Sequence, residues 1–128
     1  DPASRTLVAG DLVTLPAPLF DTACADGWRD ALARLDALDF DSLVPGHGAP
    51  MTRAQFTRYR VAFGRLLDCA AGDASAAECR AGWMRDAAGL VEAGDIALAE
   101  SLLDYYIPQV LRTPPAARGR YCRADAAR

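Results

Sequence analysis

Two side chains, Asp11 and His47, are of the types that hold a catalytic metal ion. His47 is the only histidine in the chain and lies in a Pro-Gly-His-Gly sequence at positions 45–48. Asp11 follows Gly10 at the end of the apolar run Leu7–Ala9. Histidine nitrogen and carboxylate oxygen are ordinary ligands of a hydrolytic zinc ion, which usually has three protein ligands. The sequence therefore predicts part of a hydrolytic metal site.

Two short buried strands are predicted to position these side chains. The first covers Arg5–Ala9 and ends at Gly10 and Asp11, and the second covers Ser42–Val44 and ends at Pro45. If the strands are neighbours in one sheet, both side chains lie at the same rim, where α/β folds collect their binding sites. Glycines beside His47 allow the backbone to turn sharply there.

Helices are predicted for most of the remaining chain. Residues 12–27 read as a loop, and the first helix covers Trp28–Leu38 with Asp26 as its N-cap. Two capping boxes, Thr52-x-x-Gln55 and Ser75-x-x-Glu78, begin a helix that stops at Gly72 and another that runs through Val91 and ends near Gly94. We expect Asp95 to cap a fourth helix, broken at Pro108. Its predicted inward face comprises Leu98, Leu102 and Tyr105. Tyr105 and Tyr106 either line a cleft or pack on the sheet, and the second interpretation is favoured.

The segments Leu7–Leu12 and Leu43–Gly48 together resemble the metal-binding strand ends of the metallo-β-lactamase superfamily. The resemblance covers about residues 5–70 and implies an α/β fold, the C-terminal half of an αββα sandwich. It implies that His47 binds zinc and that Asp11 bridges two zinc ions. A metal-bound hydroxide would then hydrolyse an ester, thioester, lactam or similar bond in a small-molecule substrate. Asp11 is accordingly the candidate catalytic residue.

The chain departs from this family because it lacks the His-x-His-x-Asp-His motif and the further histidine that precede the Gly-Asp strand. One histidine and one carboxylate hold zinc poorly, so we expect the isolated chain to be inactive. The chain also opens almost directly on a strand, without an initiator methionine. We therefore expect a partner: the N-terminal half of the same fold, or a longer parent chain. One or two zinc ions would bind only with that half.

Composition and charge narrow the choice of partners and compartment. Hydrophobic residues make up 52% of the chain and charged residues 24%, which indicates a globular protein. A net charge of −3 gives no indication of a nucleic-acid or membrane-surface partner. The four cysteines suggest pairing as Cys69–Cys79 and Cys24–Cys122, or free buried thiols. Disulfides would favour a periplasmic or exported protein over a cytoplasmic one.

The predicted organisation has three parts: residues 1–71 form the metallo-β-lactamase-like portion, 72–112 a helical extension packed on it, and 113–128 an irregular tail. Two alternatives stay open. The chain could be a non-catalytic helical interaction module derived from such a half, with an exposed sheet edge as its partner surface. It could also be an unrelated disulfide-stapled helical protein, in which case Asp11 and His47 would lie far apart.

Overall fold

A computed structural model describes residues 1–21, 24–114 and 117, and it has the predicted α/β class. The elements, in chain order, are β1 (Thr6–Thr14), α1 (Ala25–Asp36), β2 (Ser42–His47), β3 (Met51–Thr52), α2 (Arg53–Ala71), α3 (Ala76–Asp86) and α4 (Ile96–Tyr106). A 3₁₀ turn, Ala93–Asp95, precedes α4, and a π-helical turn, Ile107–Leu111, follows it. None of the helices in the described ranges is long and apolar enough to cross a bilayer.

The described strands form one mixed sheet in the order β1-β2-β3. β1 runs parallel to β2, and β3 runs antiparallel to β2. The prediction that β1 ends at Asp11 is wrong, because Gly10 adopts a left-handed φ of 57° and lets the strand continue as a bulge to Thr14. The predicted loop over 12–27 is therefore shorter, and β2 extends beyond Val44 to His47. β3 was not predicted, since two residues carry no periodicity.

Helix α1 begins and ends earlier than predicted. Cys24 occupies the N-cap position, and Asp26 lies in the first turn instead of at the cap. A carboxylate there interacts favourably with the helix dipole, so the residue type indicated a helix start but not its exact position. The buried face includes Trp28 and Leu32, whereas Leu38, the predicted last residue, lies beyond the helix end and is half exposed.

Helix α2 matches its prediction closely. The Thr52 hydroxyl accepts a hydrogen bond from the Gln55 amide, and the Gln55 side chain accepts one from the Thr52 amide, which completes the capping box. Gly72 caps the other end. Six residues along one face of α2 are buried: Phe56, Tyr59, Phe63, Leu66, Leu67 and Ala70.

Helix α3 begins as predicted but ends earlier. The Ser75 hydroxyl accepts a hydrogen bond from the Glu78 amide, and the helix ends at Asp86 instead of continuing through Val91. Gly89, with φ 86°, lies in the non-helical segment that follows. The predicted Cys69–Cys79 disulfide joins α2 to α3. The predicted Cys24–Cys122 pair includes a residue outside the described ranges.

Helix α4 presents a different face to the core from the one predicted. Its buried residues are Ala99, Leu103 and Tyr106, whereas Leu98 and Tyr105 are 50% and 56% exposed. Both sets recur at helical spacing, so periodicity did not distinguish them. Tyr106 faces the core in place of Tyr105, because its hydroxyl donates a hydrogen bond to Asp21 at 2.7 Å and its ring packs on Phe20. The π-helical turn begins at Ile107, beside the predicted break at Pro108.

An aromatic cluster forms the centre of the core and joins the sheet region to the later helices. Phe20 contacts the rings of Trp28, Phe63 and Tyr106 at centroid distances of 5.4–5.6 Å. Trp83 of α3 packs edge-on against Tyr59 of α2 at 5.8 Å. Residues from both sides of position 72 therefore share one core.

Tyr59 connects α2 to the end of β1, and its loss should destabilise the protein. The buried Tyr59 hydroxyl accepts a hydrogen bond from the Thr14 amide at 3.3 Å. Tyr59→Phe leaves this buried amide without a partner, so we expect the free energy of unfolding to fall by about 1–3 kcal/mol. Urea unfolding followed by circular dichroism measures the change. Exposed Tyr105→Phe is the matched control and should unfold like the wild type.

Alkaline pH should reveal the same contact. Burial raises the pKa of the Tyr59 hydroxyl above its ordinary value of 10.0. Its contribution to stability is therefore fully present below about pH 10 and is lost as pH rises further, because only the unfolded chain ionises readily there. Tyr59→Phe should lose less stability than the wild type above about pH 10. Equal losses in the two proteins would contradict this assignment.

Candidate metal centre

The structure brings Asp11 and His47 together at one rim of the sheet. Asp11 lies on the bulge of β1, and His47 is the last residue of the neighbouring strand β2. The His47 Nε2 and Asp11 Oδ1 atoms are 3.6 Å apart, and the side chains are 59% and 80% exposed. Both groups are thus available to a ligand on the open side of the rim.

The bulge places Asp11 beside His47. The register pairs Gly10 with Pro45 and Thr14 with His47, so β1 uses more residues than β2 to cover the same distance. A bulge of this kind turns a side chain out of the regular alternation of the strand, and bulges are common beside active sites. The left-handed φ at Gly10 makes this bulge possible without a Cβ penalty.

Gly46 allows the two strands to approach each other at the site. A Cβ atom on Gly46 would lie 2.1 Å from Asp11 Oδ1, 2.7 Å from the Gly10 carbonyl carbon and 2.8 Å from the Asp11 amide nitrogen. No side chain fits in this space. Gly46 therefore serves close approach, whereas Gly48, with φ 114°, provides the sharp turn expected beside His47.

Backbone contacts hold His47 from the other side. The Leu15 amide donates a hydrogen bond to the His47 carbonyl at 3.0 Å. Thr14, the residue before Leu15, is fully buried. Its hydroxyl donates a hydrogen bond to the Ala17 carbonyl and accepts one from the Leu19 amide. The chain around His47 is therefore anchored in the core, although the imidazole itself is exposed.

An open cleft of about 570 Å³ begins at His47. One wall follows the turn after β2, and the opposite wall comprises the non-helical segment after α3 and the start of α4. The sequence-based prediction missed this second wall, since residues 87–94 were assigned to a helix. The available signal was Gly89, which adopts a left-handed φ of 86°. The alternative that Tyr106 lines a cleft is wrong, because Tyr106 is buried in the core.

The donor set fits two ligands of one zinc ion, but it is not a complete site. Two ligands of a tetrahedral zinc with bonds of about 2.0–2.2 Å lie about 3.4 Å apart, close to the observed separation. Among residues 1–21, 24–114 and 117, no group of three or more histidine, cysteine, aspartate or glutamate side chains could hold a metal.

Comparisons with known proteins add no relative: no protein-family model matches the chain, and neither the curated proteins nor the solved structures include a match. The resemblance to the metallo-β-lactamase superfamily therefore depends on the two sequence segments Leu7–Leu12 and Leu43–Gly48 alone.

Proposed function

We propose that the chain supplies two ligands, Asp11 and His47, to the zinc centre of a metallo-β-lactamase-like hydrolase. The observation that carries the proposal is the 3.6 Å separation of the His47 Nε2 and Asp11 Oδ1 atoms, which joins the bulge of β1 to the end of the parallel strand β2. The two residues come from distant parts of the sequence. Their proximity disagrees with the alternative of an unrelated helical protein, which predicts that they lie far apart. The proposed reaction is hydrolysis of an ester, thioester, lactam or similar bond.

The separation of the two donor atoms suits a pair of metal ligands, and it also lies within the range of a simple ion pair. The separation exceeds the length of an ordinary nitrogen–oxygen hydrogen bond and suits two donors that share one ion. A zinc ion, when bound, lowers the pKa of water and polarises the bond to be broken. The chain's own contribution is to orient the two donors through the Gly10 bulge and the close strand approach at Gly46.

The remaining ligands are proposed to come from the N-terminal half of the same fold, in a parent chain or a separate polypeptide. The free edge of β1 supports this, because β2 is its only partner strand in the described part of the chain. Val8, the third residue of β1, is 72% exposed. An open strand edge presents unpaired N–H and C=O groups to which a further strand can bind.

The same edge favours one alternative, a non-catalytic interaction module. In that case a partner strand would still cover β1, but the Asp11 and His47 pair would bind no metal. Zinc binding separates the two functions, since only the hydrolase requires it.

A zinc titration followed by NMR tests the proposal on this chain. His47 is the only histidine, so its imidazole gives a single, unambiguous set of signals. Two ligands hold zinc weakly, so we expect only millimolar Zn²⁺ to shift these signals. Asp11→Asn should weaken the apparent affinity by about tenfold or more, because a neutral amide oxygen replaces the anionic carboxylate oxygen. Asp73→Asn, an exposed carboxylate in the α2–α3 turn, is the control and should titrate like the wild type.

Three outcomes decide between the candidates. A tenfold loss confined to Asp11→Asn supports the metal centre. Equal titration of the wild type and Asp11→Asn removes Asp11 from the ligand set and contradicts the proposal. If the His47 signals do not respond to millimolar Zn²⁺, either alone or when the N-terminal half is supplied, the interaction module becomes the better description.

A further inference from the structure

The cleft beside His47 is lined on one side by apolar residues that have no part in the proposed metal centre. Leu90 and Val91 lie in the non-helical segment after α3, and Leu98 lies on the first turn of α4. Leu15 and Met51 contribute from the opposite, His47-bearing side. An open cleft of about 570 Å³ has the size of a small-molecule site.

The far wall is held in place and is not a loosely attached loop. The Arg58 guanidinium of α2 donates hydrogen bonds to the carbonyls of Asp86 and Ala88. The amides of Leu90 and Val91 donate to the Ala87 carbonyl at 2.9 and 3.3 Å. A preorganised wall binds a ligand at a lower entropic cost than a mobile one.

The charged residues that line the cleft are acidic. Two carboxylates, Glu92 and Asp95, line it, and none of its described lining residues is an arginine. The chain contains no lysine, since all fourteen basic residues are arginines. The positive end of the α4 dipole, equivalent to about half a charge, is offset by Asp95 directly before the helix. The cleft therefore disfavours anions and attracts cations.

We propose that this cleft holds an apolar arm of the substrate that carries a cationic group. The apolar part lies against Leu90, Val91 and Leu98, and the cation lies near Glu92 and Asp95. The inference rests on the proposed hydrolase function, because His47 stands at the mouth of the cleft and at the metal centre alike. The hydrolysed bond would then lie at the His47 end of the bound molecule.

Binding of two matched probes, hexyltrimethylammonium and hexyl sulfate, tests the charge preference. They share the apolar chain and differ in the sign of the head group. Isothermal titration is done on the full chain with a chelator present, so that no metal is needed. We expect the ammonium probe to bind about tenfold more tightly than the sulfate, because each of two nearby carboxylates contributes. Methyl NMR shifts at Leu90, Val91 and Leu98, but not at exposed Val61, locate the site.

Two double variants separate local charge from net charge. Glu92→Gln with Asp95→Asn should reduce the preference to about twofold or less, because the facing charges are gone. Asp30→Asn with Asp73→Asn removes the same net charge from exposed positions outside the cleft and should leave the preference unchanged. Leu98→Ser, at a half-exposed position, should weaken the ammonium probe about fivefold.

The result distinguishes this inference from the proposed function. If the sulfate binds as tightly as the ammonium, or if neither probe shifts the cleft methyl signals, the inference is overturned even where zinc binds His47. If the ammonium probe is preferred and Zn²⁺ leaves His47 unaffected, the cleft assignment is supported and the hydrolase proposal falls.

Discussion

Gly46→Ala is expected to separate β1 from β2 at the candidate metal centre. The added Cβ would lie 2.7 and 2.8 Å from the Gly10 carbonyl carbon and the Asp11 amide nitrogen. The Asp11 carboxylate can rotate away from it, but these backbone atoms cannot, so the strands must move apart. Overpacking of this kind costs about 1–3 kcal/mol. We expect a loss in the upper part of this range, together with zinc binding about tenfold weaker than in the wild type.

Gly64→Ala is the matched control for this prediction. Gly64 lies inside α2, and a Cβ atom there would meet nothing within 4 Å. Because alanine favours a helix over glycine, this variant should be more stable by about 0.5–1 kcal/mol. Urea unfolding and the zinc titration are compared for both proteins. If Gly46→Ala has the same stability and the same zinc affinity as the wild type, the close approach of the two strands is not required.

Local sequence signals predicted those parts of the fold that local interactions determine. The Thr52–Gln55 capping box, the Ser75 hydroxyl cap and the Gly72 stop are contacts between residues close in sequence, and α2 therefore follows its prediction. The buried face of α4 depends instead on Asp21 and Phe20, which are remote in sequence and contact Tyr106. A helix with apolar residues on two faces cannot reveal from periodicity alone which face meets the core.

The candidate site was only partly predictable, because it too depends on contacts between residues remote in sequence. Residue type and the predicted strand ends singled out Asp11 and His47, although β1 continues past Asp11. The bulge at Gly10 and the contact at Gly46 depend on how two strands are aligned, which the sequence of either strand does not specify. The cleft depends on a tertiary contact as well, because Arg58 holds the segment after α3 in a non-helical path.

Trp83→Ala is expected to show that α3 and the sheet region unfold together. The Trp83 ring is 1% exposed and packs against Tyr59, and its indole Nε1 donates a hydrogen bond to the Pro16 carbonyl at 3.0 Å. Removing this side chain creates a cavity between α2, α3 and the segment after β1. Such a truncation costs about 3–5 kcal/mol, the largest loss among the variants considered.

The form of the unfolding transition matters as much as its midpoint. Tyr59 contacts both Trp83 and the Thr14 amide, so damage at Trp83 reaches the end of β1 and the backbone that holds His47. We expect a single transition, shifted to lower urea, when α-helical circular dichroism and the His47 NMR signals are followed in parallel. Exposed Tyr105→Ala, another aromatic truncation, should change stability by about 0.5 kcal/mol or less. Two separate transitions in Trp83→Ala would mean instead that the helices after residue 72 form an independent unit. The cleft beside His47 would then lack a fixed second wall.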